Sequence, residues 1–127
     1  MIAIYIAAGG AAGAVARYAL GGWIHAYAGS RFPWGTFVIN VLGSLLIGLA
    51  LRLLDALPVT PEVRALVTIG VLGGFTTFST YTYETIALAR DGDWFRAGAY
   101  AVGSLSAGLV AVGIGLAVAG FVLERGG

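Results

Sequence analysis

Four long stretches of apolar residues, separated only by short polar breaks, decide what this chain can fold into. They cover about residues 2–27, 34–54, 62–89 and 94–123. Each is long enough for an α-helix that crosses a bilayer, which needs ~20 residues. Charged residues make up only 10% of the chain, too few to cover a water-facing surface. We therefore predict an all-α membrane protein, one domain over residues 1–127, with four transmembrane helices.

Several classes of function are excluded by what the chain lacks. It has no cysteine and only one histidine, His25, so one chain offers no disulfide and no thiolate or histidine metal site. No paired carboxylates or Ser–His pair indicate enzymatic chemistry. A net charge of +1 gives no reason to expect a nucleic-acid partner. The first stretch lacks a basic n-region and exceeds a signal peptide in length, so we interpret it as a span.

The arginines that flank the spans carry a prediction about orientation. Positive-inside sorting needs an excess of Lys or Arg on one side of the membrane. Four spans put both termini on one side, and the two sides then carry equal numbers of arginines: Arg52, Arg64 and Arg125 against Arg31, Arg90 and Arg96. We predict that copies insert in both orientations and pair as an antiparallel homodimer. A weak bias hidden by the small count is the alternative.

Glycines are spaced for close helix packing. Gly9 with Gly13, and Gly70 with Gly74, form GxxxG motifs. Small residues let helices approach closely in lipid, where dispersion replaces the missing hydrophobic drive. We interpret most of the glycines as packing residues of a dense bundle and of a dimer interface.

The third stretch contains poor helix-forming residues near its middle. Adjacent glycines and threonines occupy 73–74 and 76–77. We predict that the third helix is broken at mid-membrane between Gly73 and Thr77. Carbonyls freed by a break must be buried or line a cavity, and broken transporter helices use them to bind Na⁺. The alternative is a kinked helix packed by small residues.

Polar side chains share helix faces inside the spans. Thr36, Asn40 and Ser44 recur every fourth residue on the second span, as do Tyr100 and Ser104 on the fourth. Asn40 either forms a hydrogen bond that joins two helices or presents its amide as a donor to a pore. Ser104 either bonds the carbonyl four residues before it or faces the same path.

Two charged residues, Arg17 and Glu84, also lie inside the spans away from their ends. Arg17 either snorkels or bonds backbone carbonyls, and the second alternative is preferred. Glu84 either lines a vestibule or caps a packing contact. Hydroxyls, an amide and aromatic edges, with no acidic residue at mid-depth, favour a path for a small anion.

Three motifs carry a resemblance to a known family. They are GGxxGAxxRY from Gly9, GTxxxNxxGS from Gly35 and GxxGGFTTFST from Gly70. Through them the chain resembles the Fluc (CrcB) family of fluoride channels along its whole length. The resemblance implies an antiparallel, dual-topology dimer with two pores that passively exports cytoplasmic fluoride across the cell (plasma or inner) membrane. It also implies a structural, untransported Na⁺ at the dimer centre, held by the backbone carbonyls of Gly73 and Thr76.

The resemblance also assigns roles to single residues. Arg17 matches a structurally important arginine. Tyr81 stands where the family usually has phenylalanine, and the sequence leaves open how its hydroxyl affects conduction. The implied fluoride pathway consists of Asn40, Phe78, Ser79, Thr80, Tyr81, Tyr100 and Ser104.

Two other classes of protein explain less of the sequence. A proton-coupled multidrug exporter of the same size needs an acidic residue midway along the first span, where this chain has Arg17. A membrane-assembly protein without transport would account for the glycines but not for the polar run from Thr76 to Thr80.

Overall fold

The computed structural model describes all residues from 1 to 127, and nearly all of them are helical. Three continuous helices correspond to the first, second and fourth apolar stretches: α1 (Ile2–Ala28), α2 (Trp34–Ala56) and α6 (Trp94–Gly126). The third stretch is divided into α3 (Pro61–Ala65), a π-helical segment (Leu66–Leu72), α4 (Gly73–Phe75) and α5 (Phe78–Arg90).

The four predicted spans are confirmed as helices that are long and apolar enough to cross a membrane. Their ends differ from the predicted bounds by three residues or fewer. The largest difference is at the C-terminus, where α6 continues through the polar residues after Leu123.

Local sequence explains where the helices begin. The Thr60 hydroxyl accepts a hydrogen bond from the Val63 N–H at 3.3 Å, and Pro61 occupies the first helical position. Asp93 caps α6 in the same way, accepting from the Arg96 N–H at 3.1 Å. Hydrogen bonds from the Arg96 side chain and backbone hold the pKa of the Asp93 carboxyl below its usual range.

The helices pack in two main pairs, α2 against α6 and α1 against the π-helical segment and α4. Only 14 of the 127 residues are buried, and many large apolar side chains are exposed. A soluble protein of this size would bury far more of them, so this surface suits lipid.

A seam of glycines joins α1 to the third stretch. We call the facing residues Gly9, Gly10 and Gly13 of α1 and Gly70 and Gly74 the glycine seam. A Cβ on Gly9 would lie 2.5 Å from the Leu66 carbonyl oxygen, and one on Gly74 2.6 Å from the Gly10 carbonyl oxygen. Both GxxxG motifs therefore pack against each other within one chain.

Candidate functional site

The helical backbone is interrupted at Thr76 and Thr77. Both have extended dihedral angles, with φ −85° and ψ 156° at Thr76 and φ −146° and ψ 119° at Thr77. Gly73 and Gly74, which the sequence placed at the start of a break, remain helical. The non-helical residues are thus the two β-branched ones, whose side chains favour extended backbone over helix.

Asn40 of α2 satisfies the backbone at this interruption. Its Nδ2 donates to the Thr77 carbonyl oxygen at 3.0 Å, and its Oδ1 accepts from the Thr77 N–H at 2.9 Å. The side-chain amide pairs with Thr77 as a neighbouring peptide group would. The helix-joining alternative for Asn40 is therefore what the structure contains, although the second N–H of the amide has no partner in the protein.

Two backbone donors are diverted from their helical acceptors. The Thr77 N–H would bond the Gly73 carbonyl in a continuous helix but donates to Asn40. The Thr80 N–H would likewise bond the Thr76 carbonyl, but at 3.2 Å it donates to the Thr77 hydroxyl, which caps α5. The carbonyls of Gly73 and Thr76 are thereby released.

Arg17 of α1 stabilises the same region. Its Nε donates to the Gly74 carbonyl oxygen at 3.2 Å. This contact corresponds to the carbonyl-bonding alternative for Arg17 rather than to snorkelling.

A cavity of about 470 Å³ lies beside the interruption. No charged side chain lines it. The rings of Phe78 and Tyr81 form part of its wall. Its polar lining comes from Asn40, Ser44, Thr68, Thr76, Thr77 and Ser104.

Two buried hydroxyls in this region have no hydrogen-bond partner. They are the Tyr100 hydroxyl, on a residue with no exposed surface, and Ser104 Oγ, which lines the cavity. Ser104 does not bond the carbonyl four residues before it, whereas Ser44 does so at 2.7 Å. Buried polar groups are almost always paired because an unpaired group loses its hydration without compensation. The Ser104 hydroxyl is thus open to a ligand in the first cavity, whereas the Tyr100 hydroxyl lines neither cavity and lies near Thr36 and Glu84.

Aromatic rings connect α5 to α6 beside these hydroxyls. The Tyr81 ring centroid lies 5.8 Å from that of Phe78 and 5.3 Å from that of Tyr100. Phe32 packs edge-on against the other side of Tyr100 at 5.4 Å. The Tyr81 hydroxyl donates to the Ala101 carbonyl oxygen of α6. No sequence signal pointed to the contacts that Phe32 and Ala101 make here.

A second cavity of about 360 Å³ is lined by charged groups from within the spans. Arg17, His25 and Glu84 line it together with Thr36 and Thr80. The Thr36 hydroxyl donates to Glu84 Oε1 at 2.6 Å. Glu84 thus lines this cavity and also bonds α2.

The seven predicted pathway residues do not all meet at one place. Asn40, Phe78, Tyr81 and Ser104 surround the first cavity, and Thr80 lines the second. Tyr100 is buried against Tyr81, and Ser79 is exposed and lines neither cavity.

Comparison with known proteins decides the classification. Residues 4–116 match the family described as CrcB-like protein, Camphor Resistance (CrcB). The chain belongs to this family. Its members are ion channels rather than enzymes, and the four helices make the chain a multi-pass membrane protein.

Curated relatives in several bacteria carry the name "Fluoride-specific ion channel FluC". The protein of Acidobacterium capsulatum is 47% identical over 116 residues, which cover 91% of this chain and 93% of the relative. That of Opitutus terrae is 50% identical over 120 residues, covering 88% and 87%. That of one strain of Thermus thermophilus is 46% identical over 117 residues, covering 92% of each.

Proposed function

We propose that this chain forms a passive, fluoride-selective channel that exports cytoplasmic fluoride across the cell membrane. The observation that carries the proposal is the set of buried donors without a partner: the hydroxyls of Tyr100 and Ser104, and the spare N–H of Asn40, which lines the first cavity with Ser104. The names of the relatives, fluoride-specific ion channels, support the choice of ion.

The chemistry of these donors suits a small anion. Hydroxyl and amide groups donate hydrogen bonds, and the edges of Phe78 and Tyr81 carry partial positive charge. No carboxylate lines the first cavity to repel an anion. Fluoride is small and strongly hydrated, so a narrow path must offer many donors in place of water, and the larger chloride would fit poorly.

The working unit in this proposal is an antiparallel homodimer with two pathways. Gly73, Phe78 and Ser79 are exposed on the single chain. A second copy in the opposite orientation would cover this region and place the interruption, which we assign to the middle of the membrane, at the centre of the dimer. The equal numbers of arginine on the two sides support insertion in both orientations.

The released carbonyls fit a structural Na⁺ at that centre. The carbonyl oxygens of Gly73 and Thr76 no longer accept the backbone N–H that would bond them in a continuous helix. Both residues line the first cavity, which has no charged side chain. Carbonyl oxygens are hard ligands of the kind Na⁺ takes at broken helices. A bound Na⁺ supplies positive charge that satisfies these oxygens in both subunits and holds the subunits together.

Fluoride efflux from liposomes tests the channel proposal. Purified protein is reconstituted into liposomes loaded with potassium fluoride, and valinomycin starts efflux, which a fluoride electrode records. We expect efflux well above that of protein-free liposomes, and little chloride efflux in a parallel experiment. Fluoride release no faster than from protein-free liposomes would refute the proposal.

Removing the unpartnered hydroxyls tests the assigned pathway. We expect the double variant Tyr100→Phe/Ser104→Ala to lower fluoride efflux about tenfold or more, since a hydrogen bond to a charged group contributes ~1.5–3 kcal/mol. Its thermal stability should not fall, because neither hydroxyl has a partner to lose. Ser106→Ala, an exposed serine on the same helix, is the control with unchanged efflux. Unchanged efflux in the double variant would remove Tyr100 and Ser104 from the path.

Sodium dependence tests the cation site. We expect the melting temperature of the purified protein to fall when Na⁺ is replaced by N-methyl-D-glucamine at constant ionic strength, because the Gly73 and Thr76 carbonyls lose their ligand. Fluoride efflux should fall with it. A melting temperature and an efflux that are both independent of Na⁺ would remove this assignment.

A further inference from the structure

The Tyr81 hydroxyl is bonded to the backbone of α6. A phenol has a single proton, and in the structure Tyr81 donates it to the Ala101 carbonyl oxygen. That proton is therefore not available to an anion in the first cavity. Tyr100 and Ser104 differ in this respect, since their hydroxyls have no partner.

The helix α5, which carries Tyr81, makes few other interactions with the rest of the chain. α5 contains no buried residue, and it packs mainly against α6, with only slight contact to α2. The bond from Tyr81 to Ala101 is the only side-chain hydrogen bond between α5 and α6. On the α2 side, Thr36 bonds Glu84 six residues before the end of α5.

The position of this bond matters for the pathway. Phe78 lies one turn before Tyr81 on α5 and also lines the first cavity. Ala101 lies between Tyr100 and Ser104 on α6, the two residues with unpartnered hydroxyls. The bond thus joins the two helices at the level where their pathway residues face each other.

We propose that the Tyr81 hydroxyl is a tether that keeps the α5 and α6 halves of the pathway aligned, and that it does not donate to the ion. This inference rests on the proposed channel function. Tyr81 is then a positioning residue: its ring borders the path and its hydroxyl holds α5 against α6. When the tether opens, α5 moves away from α6 and conduction is interrupted.

Single-channel recording of the full chain in planar bilayers tests the tether. We expect Tyr81→Phe to keep the open-channel fluoride current within twofold of wild type, because the ring remains. The ratio of interrupted to conducting time should rise about fivefold, the change that one hydrogen bond of ordinary strength makes in an equilibrium. Tyr83→Phe, on the same helix with its side chain 72% exposed, is the matched control and should behave as wild type.

Hydrogen–deuterium exchange gives a second measurement that does not depend on conduction. In Tyr81→Phe, amides of residues 78–90 should exchange about fivefold faster, while those of α2 stay unchanged. An open-channel current reduced tenfold would instead make the hydroxyl an ion donor, and unchanged interruptions and exchange would show that it holds nothing. Either result overturns the tether. Absence of fluoride current in the wild type would refute the channel proposal. The exchange rates of residues 78–90 would then be the only test of whether the Tyr81 hydroxyl holds α5 against α6.

Discussion

Asn40→Asp is expected to reduce fluoride efflux at pH 7.5 by at least about a hundredfold. An ionised carboxylate at this position would face the anion path at close range. Two like charges about 4 Å apart repel by ~4 kcal/mol at an effective dielectric constant of about 20. The carboxylate also loses the Nδ2–H bond to the Thr77 carbonyl, so the melting temperature should fall as well.

Acidification separates the two effects of this substitution. Once protonated, the introduced carboxyl can donate to the Thr77 carbonyl as the Asn40 amide does, and it carries no charge. Single-channel fluoride currents of the variant should therefore increase between pH 7.5 and pH 5.5, while those of the wild type change little. A folded variant whose current at pH 7.5 lies within threefold of wild type would place Asn40 outside the path.

Gly13→Ala is expected to prevent most of the protein from folding. A Cβ at this position would lie 2.9 Å from the Phe75 amide nitrogen and still closer to the Val71 carbonyl oxygen. Both are backbone atoms, so α1 and the π-helical segment would have to separate along the glycine seam. Overpacking of this kind usually lowers the free energy of unfolding by ~1–3 kcal/mol, and by more where backbone atoms rather than side chains must move.

Gly10→Ala is the matched control for this prediction. It lies on the same helix, yet a Cβ on Gly10 would meet no atom within 4 Å. Alanine is also the better helix former. Size-exclusion chromatography and thermal unfolding should show a loss of folded protein for Gly13→Ala only. Equal stability of the two variants would contradict the packing described for the seam.

The features predicted from sequence are those that depend on local composition. The apolar stretches located the helices within three residues. The threonines of the third span stand where the helical backbone is interrupted, whereas Gly73 and Gly74, also predicted to lie in the break, remain helical. Spacing also placed Thr36, Asn40 and Ser44 on one face, because a helix fixes that geometry without reference to its neighbours.

Features that depend on a distant partner could not be predicted in the same way. The sequence indicated close packing at Gly9 and Gly13, but only the structure identifies the π-helical segment as the surface they pack against. Nothing in the residues from Leu66 to Leu72 predicts π-helical hydrogen bonding. The sequence likewise does not predict that the Tyr81 hydroxyl bonds the Ala101 carbonyl, twenty residues further along the chain.

The pairing of Asn40 with Thr77 bears on how the protein assembles in its membrane. A span of residues 61–90 that enters lipid without α2 has no acceptor for the Thr77 N–H except its own Gly73 carbonyl, since lipid supplies none. It would therefore enter as an unbroken helix. The extended residues then form only when α2 docks and its asparagine replaces that carbonyl. The released carbonyls, and any ion they bind, are thus a product of assembly that follows insertion.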